Sequence, residues 1–149
     1  MPDSLLDDTL RYELKEIFDQ QLKQPIRIMY FGAEVGCDYC KDTLQLSREV
    51  GALSDQIRLS VHDLDQDAEL ASRHGVDKAP TLVIAGQDGE QVTDFGVRFA
   101  GIPAGHEFIS FVQAIVNVSG RETTLSVETR QFLHELAEPV HLQVFVTPT

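Results

Sequence analysis

A chain of 149 residues, 42% hydrophobic and 24% charged, is long enough to bury one good core and has the composition of an ordinary soluble domain. Its formal net charge of −12 argues against nucleic acid or an anionic membrane as a partner, because like charges repel at long range. Met1 to Asp8 lacks the basic and apolar regions of a secretory leader, and no run approaches the ~20 apolar residues of a membrane span. Two cysteines are too few for a multi-bridge secreted framework, so a cytoplasmic protein is expected.

Leu6, Leu10, Leu14, Ile17, Phe18 and Leu22 recur at three- and four-residue spacing, which predicts an amphipathic helix over 4–23 capped by Ser4 or Asp3. Pro25 then opens the apolar run Ile26 to Phe31, read as a mostly buried strand. Gly32 to Gly36 make a loop, and a second helix is expected from near Cys37 to about Val50. Ile57 to Leu64 alternates, with Ile57, Leu59 and Val61 on one face of a strand. A short acidic-headed helix over 65–74 stops at Gly75. Thr81 to Ala85 reads as a buried strand, and the Asp88-Gly89 turn signal returns Gln91 to Arg98 as its hairpin partner. A helix over 106–118 follows, its apolar face marked by Phe108, Ile109, Val112, Ile115 and Val116. Parallel crossovers followed by a hairpin and a closing helix predict an α/β fold, a central mixed sheet covered by helices on both faces. One unit, 1–118, is then complete.

The remaining segment, 119–149, repeats the opening of the chain. After a helix over 124–137, Pro139-Val140-His141-Leu142-Gln143-Val144-Phe145 matches Pro25-Ile26-Arg27-Ile28-Met29-Tyr30-Phe31 in its proline, apolar residues and phenylalanine. A shift of 114 residues also aligns Leu22 with Leu136 and Phe18 with Phe132. The tail is expected to be the opening helix and strand of a second unit.

Both cysteines stand in Gly36-Cys37-Asp38-Tyr39-Cys40-Lys41, spaced C-x-x-C between a strand and a helix. Two thiols straddling a helix start suit reversible thiol–disulfide chemistry. In this setting the sequence resembles the thioredoxin-like family. Lys78-Ala79-Pro80-Thr81 stands where that family carries its cis-proline, just before the third strand. The nearest likeness within it is to protein disulfide oxidoreductases, glutaredoxin-like proteins with two tandem units. Phe99 to Phe108 and Val144 to Thr149 resemble their segments strongly. Those proteins carry a second C-x-x-C after the stretch matching Val144 to Thr149, so the resemblance implies one unit and a truncated second.

It also implies the chemistry. Cys37 attacks a substrate disulfide as thiolate, and Cys40, one turn further and more buried, resolves the mixed disulfide. Partial positive charge at the helix start favours the anion. Ala79 and Pro80 are expected at the substrate, with Ala79 offering its backbone N–H and C=O, and Tyr39 either packs on substrate or faces solvent. The charge of Asp38 opposes a thiolate on Cys37, which predicts a reducing site, nearer ~−270 to −200 mV than ~−120 mV. Glu34 is a candidate for the buried acid that thioredoxins carry on their first strand, set against an exposed loop glutamate. A glutathione or thioredoxin-reductase-like electron donor is compatible with this scheme, and no cofactor is required.

Other readings are weaker. Structural zinc needs four Cys or His ligands, whereas His62, His74, His106, His134 and His141 are scattered. Asp63 to Asp67 lacks the glycine and terminal glutamate of a calcium loop. The alternative of another class is an interaction or assembly module with a mainly structural disulfide. In that case the apolar strand Val140 to Val146 pairs with its equivalent in another copy, forming a homodimer.

Overall fold

The computed structural model describes residues 4–147. Its elements follow in the order α1 (Asp8–Gln21), β1 (Ile26–Gly32), α2 (Cys40–Gly51), β2 (Ile57–Asp63), α3 (Ala68–Arg73), β3 (Thr81–Asp88), β4 (Gln91–Ala100), α4 (Glu107–Gly120) and α5 (Val127–His134). The four strands form one mixed sheet in the order β2-β1-β3-β4, with β1 parallel to β2 and antiparallel to β3. β3 and β4 form the expected hairpin around Gly89-Glu90.

Apart from the half-buried Arg27, β1 is apolar because both faces of the sheet are covered. Ile26, Ile28 and Tyr30 join Leu14 and Phe18 of α1, Leu46 and Val50 of α2, and Phe111 and Ile115 of α4 in one cluster. Met29 and Phe31 point the other way, into a smaller cluster with Ala71 of α3, Val76, Val83 and Ala85. The strand period of two thus divides one run of apolar residues between two layers. Ser119 joins the layers' margins. Its buried hydroxyl accepts from the amides of Lys23 and Gln24 and donates to the Gln24 carbonyl, tying the entry of β1 to the end of α4.

Several expected boundaries move for identifiable reasons. α1 begins at Asp8, because Asp7 supplies the cap by accepting from the Leu10 amide at 2.8 Å. Ser4 is not the cap; its hydroxyl lies within hydrogen-bond distance of the Leu6 carbonyl and the Glu49 carboxylate instead, and Asp3 lies outside the described residues. α3 begins at Ala68, since the Asp63 carboxylate is spent closing the preceding turn on the amides of Asp65 and Gln66. Val61 is half exposed rather than inward, as β2 is an edge strand with a thinner cover than β1.

The C-terminal segment departs most. α5 forms, capped by Ser126 on the Thr129 amide, but it is shorter than expected. The strand expected over 140–146 is absent: those residues have no strand pairing, and everything from 122 to 147 is exposed. A strand needs a neighbour for its N–H and C=O groups, and the sheet edges of this chain do not take it up. The last two residues of the Val144 to Thr149 segment lie outside the described residues.

Candidate active site

The sheet register assembles the site. Phe31 of β1 pairs with Thr81 of β3, which pairs with Ala100 of β4. The loops after β1, before β3 and after β4 therefore emerge at one end of the sheet. They carry Ala33 to Cys37, Ala79-Pro80, and Gly101 to Gly105 respectively. Gly101 donates its amide to the Pro80 carbonyl at 2.8 Å, joining two of these loops. The Ala79–Pro80 peptide is cis, and Pro80 is buried while Ala79 is half-buried.

Gly36, with φ of +73°, turns the chain out of the β1 loop in a conformation that favours glycine. Cys37 follows, then a turn at Asp38-Tyr39, and α2 starts only at Cys40. The helix thus begins three residues later than expected, because Tyr39 stands at the cap with φ −102° and ψ 2°, outside helical geometry. Its side chain offers no cap; instead the Thr43 amide and hydroxyl both donate to the Tyr39 carbonyl and close the first turn. Cys40 is consequently the first helical residue, not one turn in.

Cys37 and Cys40 are joined in a disulfide, with Cα atoms 5.4 Å apart. The two sulfurs lie in different surroundings. Cys40 is 6% exposed and part of the main core, whereas Cys37 is half-buried at its margin. The Ala33 amide is directed at Cys40 Sγ at 3.4 Å, and the Tyr30 hydroxyl donates to the Cys40 carbonyl at 2.9 Å. Asp38 and Tyr39, between the cysteines, both face solvent. Such an arrangement offers one sulfur to an incoming group and keeps the other in reserve behind it.

Glu34 is exposed in the loop, and the side chain that reaches Cys40 from β1 is Tyr30. The apolar pattern of Ile26 to Phe31 marks Tyr30 only as part of a buried strand. The signal that could have marked it is Tyr30-Phe31-Gly32, which puts a phenol and a missing side chain on the same strand face immediately before the cysteine loop. Among the described residues, no group of three or more His, Cys, Asp or Glu is placed to hold a metal ion.

Comparison with solved structures matches this architecture to a protein disulfide oxidoreductase from Aeropyrum pernix, with a TM-score of 0.74 and 30% identity over 89% of this chain and 57% of that one. The chain has the thioredoxin-like fold. The NTD_N/C domain of alkylhydroperoxide reductase AhpF from Enterococcus faecalis has the same fold, with a TM-score of 0.74 at 24% identity, covering 85% of this chain and 58% of that one. Among curated proteins, the alkyl hydroperoxide reductase AhpF of Staphylococcus aureus is 32% identical over 135 residues, 87% of this chain. The Staphylococcus epidermidis protein of that name is 31% identical over the same length. This chain spans about a quarter of the length of those two relatives, 24% in each case. No protein-family model matches it. The likeness to oxidoreductases and the adjacent Cys37–Cys40 pair support thiol–disulfide exchange as the class of chemistry.

Proposed function

We propose that this protein of thioredoxin-like fold is a dithiol–disulfide oxidoreductase whose Cys37–Cys40 pair cycles between the thiol and disulfide states. The observation that carries this reading is the unequal burial of two bonded sulfurs at the mouth of a helix. In the reducing direction, Cys37 attacks a substrate disulfide as the thiolate, favoured by the unpaired N–H groups at the start of α2. One substrate sulfur leaves, taking up a proton, and the other remains bonded to Cys37. Cys40 then attacks Cys37, the second substrate sulfur departs with the electron pair, and the intramolecular bridge closes. Tyr39, exposed beside the pair, and Ala79 and Pro80, at the same end of the sheet, are assigned to substrate binding.

In this scheme the substrates are proteins or small molecules with accessible disulfides. Electrons come from glutathione or a thioredoxin-reductase-like donor, in a reducing compartment such as the cytoplasm. The test is disulfide reduction by wild type, Cys37→Ser and Cys40→Ser. Both variants should lose turnover, and Cys40→Ser should accumulate mixed disulfides. Full activity in Cys37→Ser overturns the assignment.

A second reading, assembly through the tail, is favoured by the run of exposed apolar side chains that includes Phe132, Leu142, Val144 and Phe145. It expects homodimers in light scattering at micromolar concentration, and a monomer there rejects it.

A further inference from the structure

Exchange by Cys37 and Cys40 leaves Tyr30 without an assigned part, yet its surroundings are specific. Its ring lies over Gly32, two residues further along β1. A Cβ placed on Gly32 would fall within 2.7 Å of two Tyr30 ring carbons and closer still to the hydroxyl, so the phenol occupies room that only glycine leaves. The residue is 5% exposed, and its hydroxyl finds a partner in the Cys40 carbonyl at 2.9 Å. Gly32 is followed by Ala33, whose N–H is directed at Cys40 Sγ. One short piece of β1 and its loop therefore grips the first residue of α2 twice, once at its carbonyl and once at its sulfur.

Both contacts matter to the second half of exchange. Cys40 must carry negative charge when it attacks, and it leaves as an anion in the reverse reaction. A backbone N–H aimed at a sulfur stabilises it more as thiolate than as thiol, because hydrogen bonds to charged groups are the stronger ones. That preference needs the sulfur and the amide to stay in register, which depends on how the first turn of α2 sits on β1. The phenol supplies the link. Burial raises its own pKa above the ordinary value, with Arg48 of α2 opposing and Asp63 at the end of β2 reinforcing, so it remains a protonated donor where thiols titrate. Gly32, Ala33, His62 and Asp67 border the same depression.

We propose that Tyr30 is a positioning residue for the resolving sulfur: its phenol, seated over Gly32, pins the Cys40 carbonyl so that the Ala33 N–H stays aimed at Cys40 Sγ. This rests on the exchange reading above. In the step concerned, the Cys40 thiolate attacks the Cys37 sulfur of the mixed disulfide. The Cys37–substrate bond breaks, its electron pair leaves on the substrate sulfur, which takes a proton from solvent, and the Cys37–Cys40 bond forms.

The experiment pairs Tyr30→Phe with wild type in the full chain. In a Cys37→Ser background, where Cys40 is the sole thiol, alkylation rate against pH should give an apparent Cys40 pKa raised by about half a unit to one unit in Tyr30→Phe. In the otherwise wild-type chain, release of the mixed disulfide formed with a small aromatic disulfide should slow by about fivefold, while the initial attack by Cys37 keeps its rate. A Tyr30→Phe protein that loses thermal stability but keeps both the Cys40 titration and the release rate has a structural phenol only, and the proposal fails. If Tyr30→Phe does not fold, the reduced wild-type protein decides: its Ala33 amide resonance should follow Cys40 ionisation, and an amide indifferent to it overturns the proposal. Failure of the exchange reading itself would look different, as wild type would then form no mixed disulfide at all.

Discussion

Arg98 of β4 grips the carbonyl of His74 with two donors, Nε at 2.9 Å and Nη2 at 2.7 Å, across 24 residues of sequence. The same guanidinium binds Asp94 earlier on its own strand, and Asp94 in turn meets His74 Nδ1 at 2.8 Å. Hydrogen bonding from Arg98 is the main reason the Asp94 carboxyl is held well below the usual carboxylate range; burial opposes it, and His74 and the Gly96 amide assist. His74 ends α3 and opens the segment that leads to Ala79-Pro80, so this network anchors one of the three loops of the site to the hairpin. Arg98→Met should cost about 1–3 kcal/mol in urea denaturation at neutral pH, because a half-buried carbonyl and a carboxylate both lose their donor. Arg98→Lys should recover only part of this, lacking the planar fork. Wild-type stability in Arg98→Met would mean that water replaces the guanidinium without loss.

These contacts explain what a reader of the sequence could and could not see. The strands were legible because Ile26 to Phe31 and Thr81 to Ala85 are apolar runs with turn residues around them, and the cysteine spacing named its own chemistry. The starts of α1 and α2 were not, for different reasons. Ser4 looks like a cap but bonds elsewhere, and Tyr39 caps α2 with no side-chain contribution at all. The role of Tyr30 needs Gly32 beneath it and α2 beside it, and the Arg98–His74 link needs two elements that sequence does not place together. Residues 140–146 have a strand's pattern without a strand's partner, and pattern alone does not pair backbone groups.

Asp38, exposed, follows Cys37 directly in the chain, and a negative charge so close opposes a thiolate there. Removing that charge stabilises the reduced, anionic form and should make the pair more oxidising. Asp38→Asn is expected to raise the potential by about 10–20 mV from a wild-type value between ~−270 and −200 mV, the modest size reflecting solvent screening. Equilibration against glutathione buffers measures both proteins, and the difference should shrink at 1 M salt. An unchanged or lowered potential rejects an electrostatic role for Asp38.

Glu49 of α2 gathers the start of the chain. Its carboxylate accepts from the Ser4 hydroxyl, the Leu5 and Leu6 amides, Arg11 and Gln45, at 2.8–3.0 Å. Burial alone would raise its pKa, but the bonds from Gln45, the two amides and Ser4 outweigh it and bring the value from 4.5 down to about 2. A depressed carboxylate pKa stabilises the fold above the unfolded value and ceases to do so as pH falls through the folded one. Glu49→Gln should therefore be less stable than wild type by about 1–3 kcal/mol at pH 7, with the gap closing between pH 4.5 and 2. Denaturation midpoints across that range provide the check, and a gap independent of pH would place the effect in packing instead.

The segment beyond the core should be dispensable for folding. Every residue from 122 to 147 is exposed, while the buried cluster draws on residues from Leu6 to Val118. Removing Leu125 onward therefore takes away almost no buried apolar surface, and surface changes of this kind rarely exceed ~0.5 kcal/mol. The melting temperature should stay within about 2 °C of the full chain, and thiol–disulfide exchange should persist. Solution behaviour should change instead. Phe132, Leu133, Leu136, Val140 and Leu142 line one apolar hollow in this segment, a surface of the kind that drives association. Shortened protein should scatter less light at high micromolar concentration than the full chain. A drop in melting temperature beyond about 5 °C would show that the segment supports the core in solution, through contacts that its exposure here does not provide.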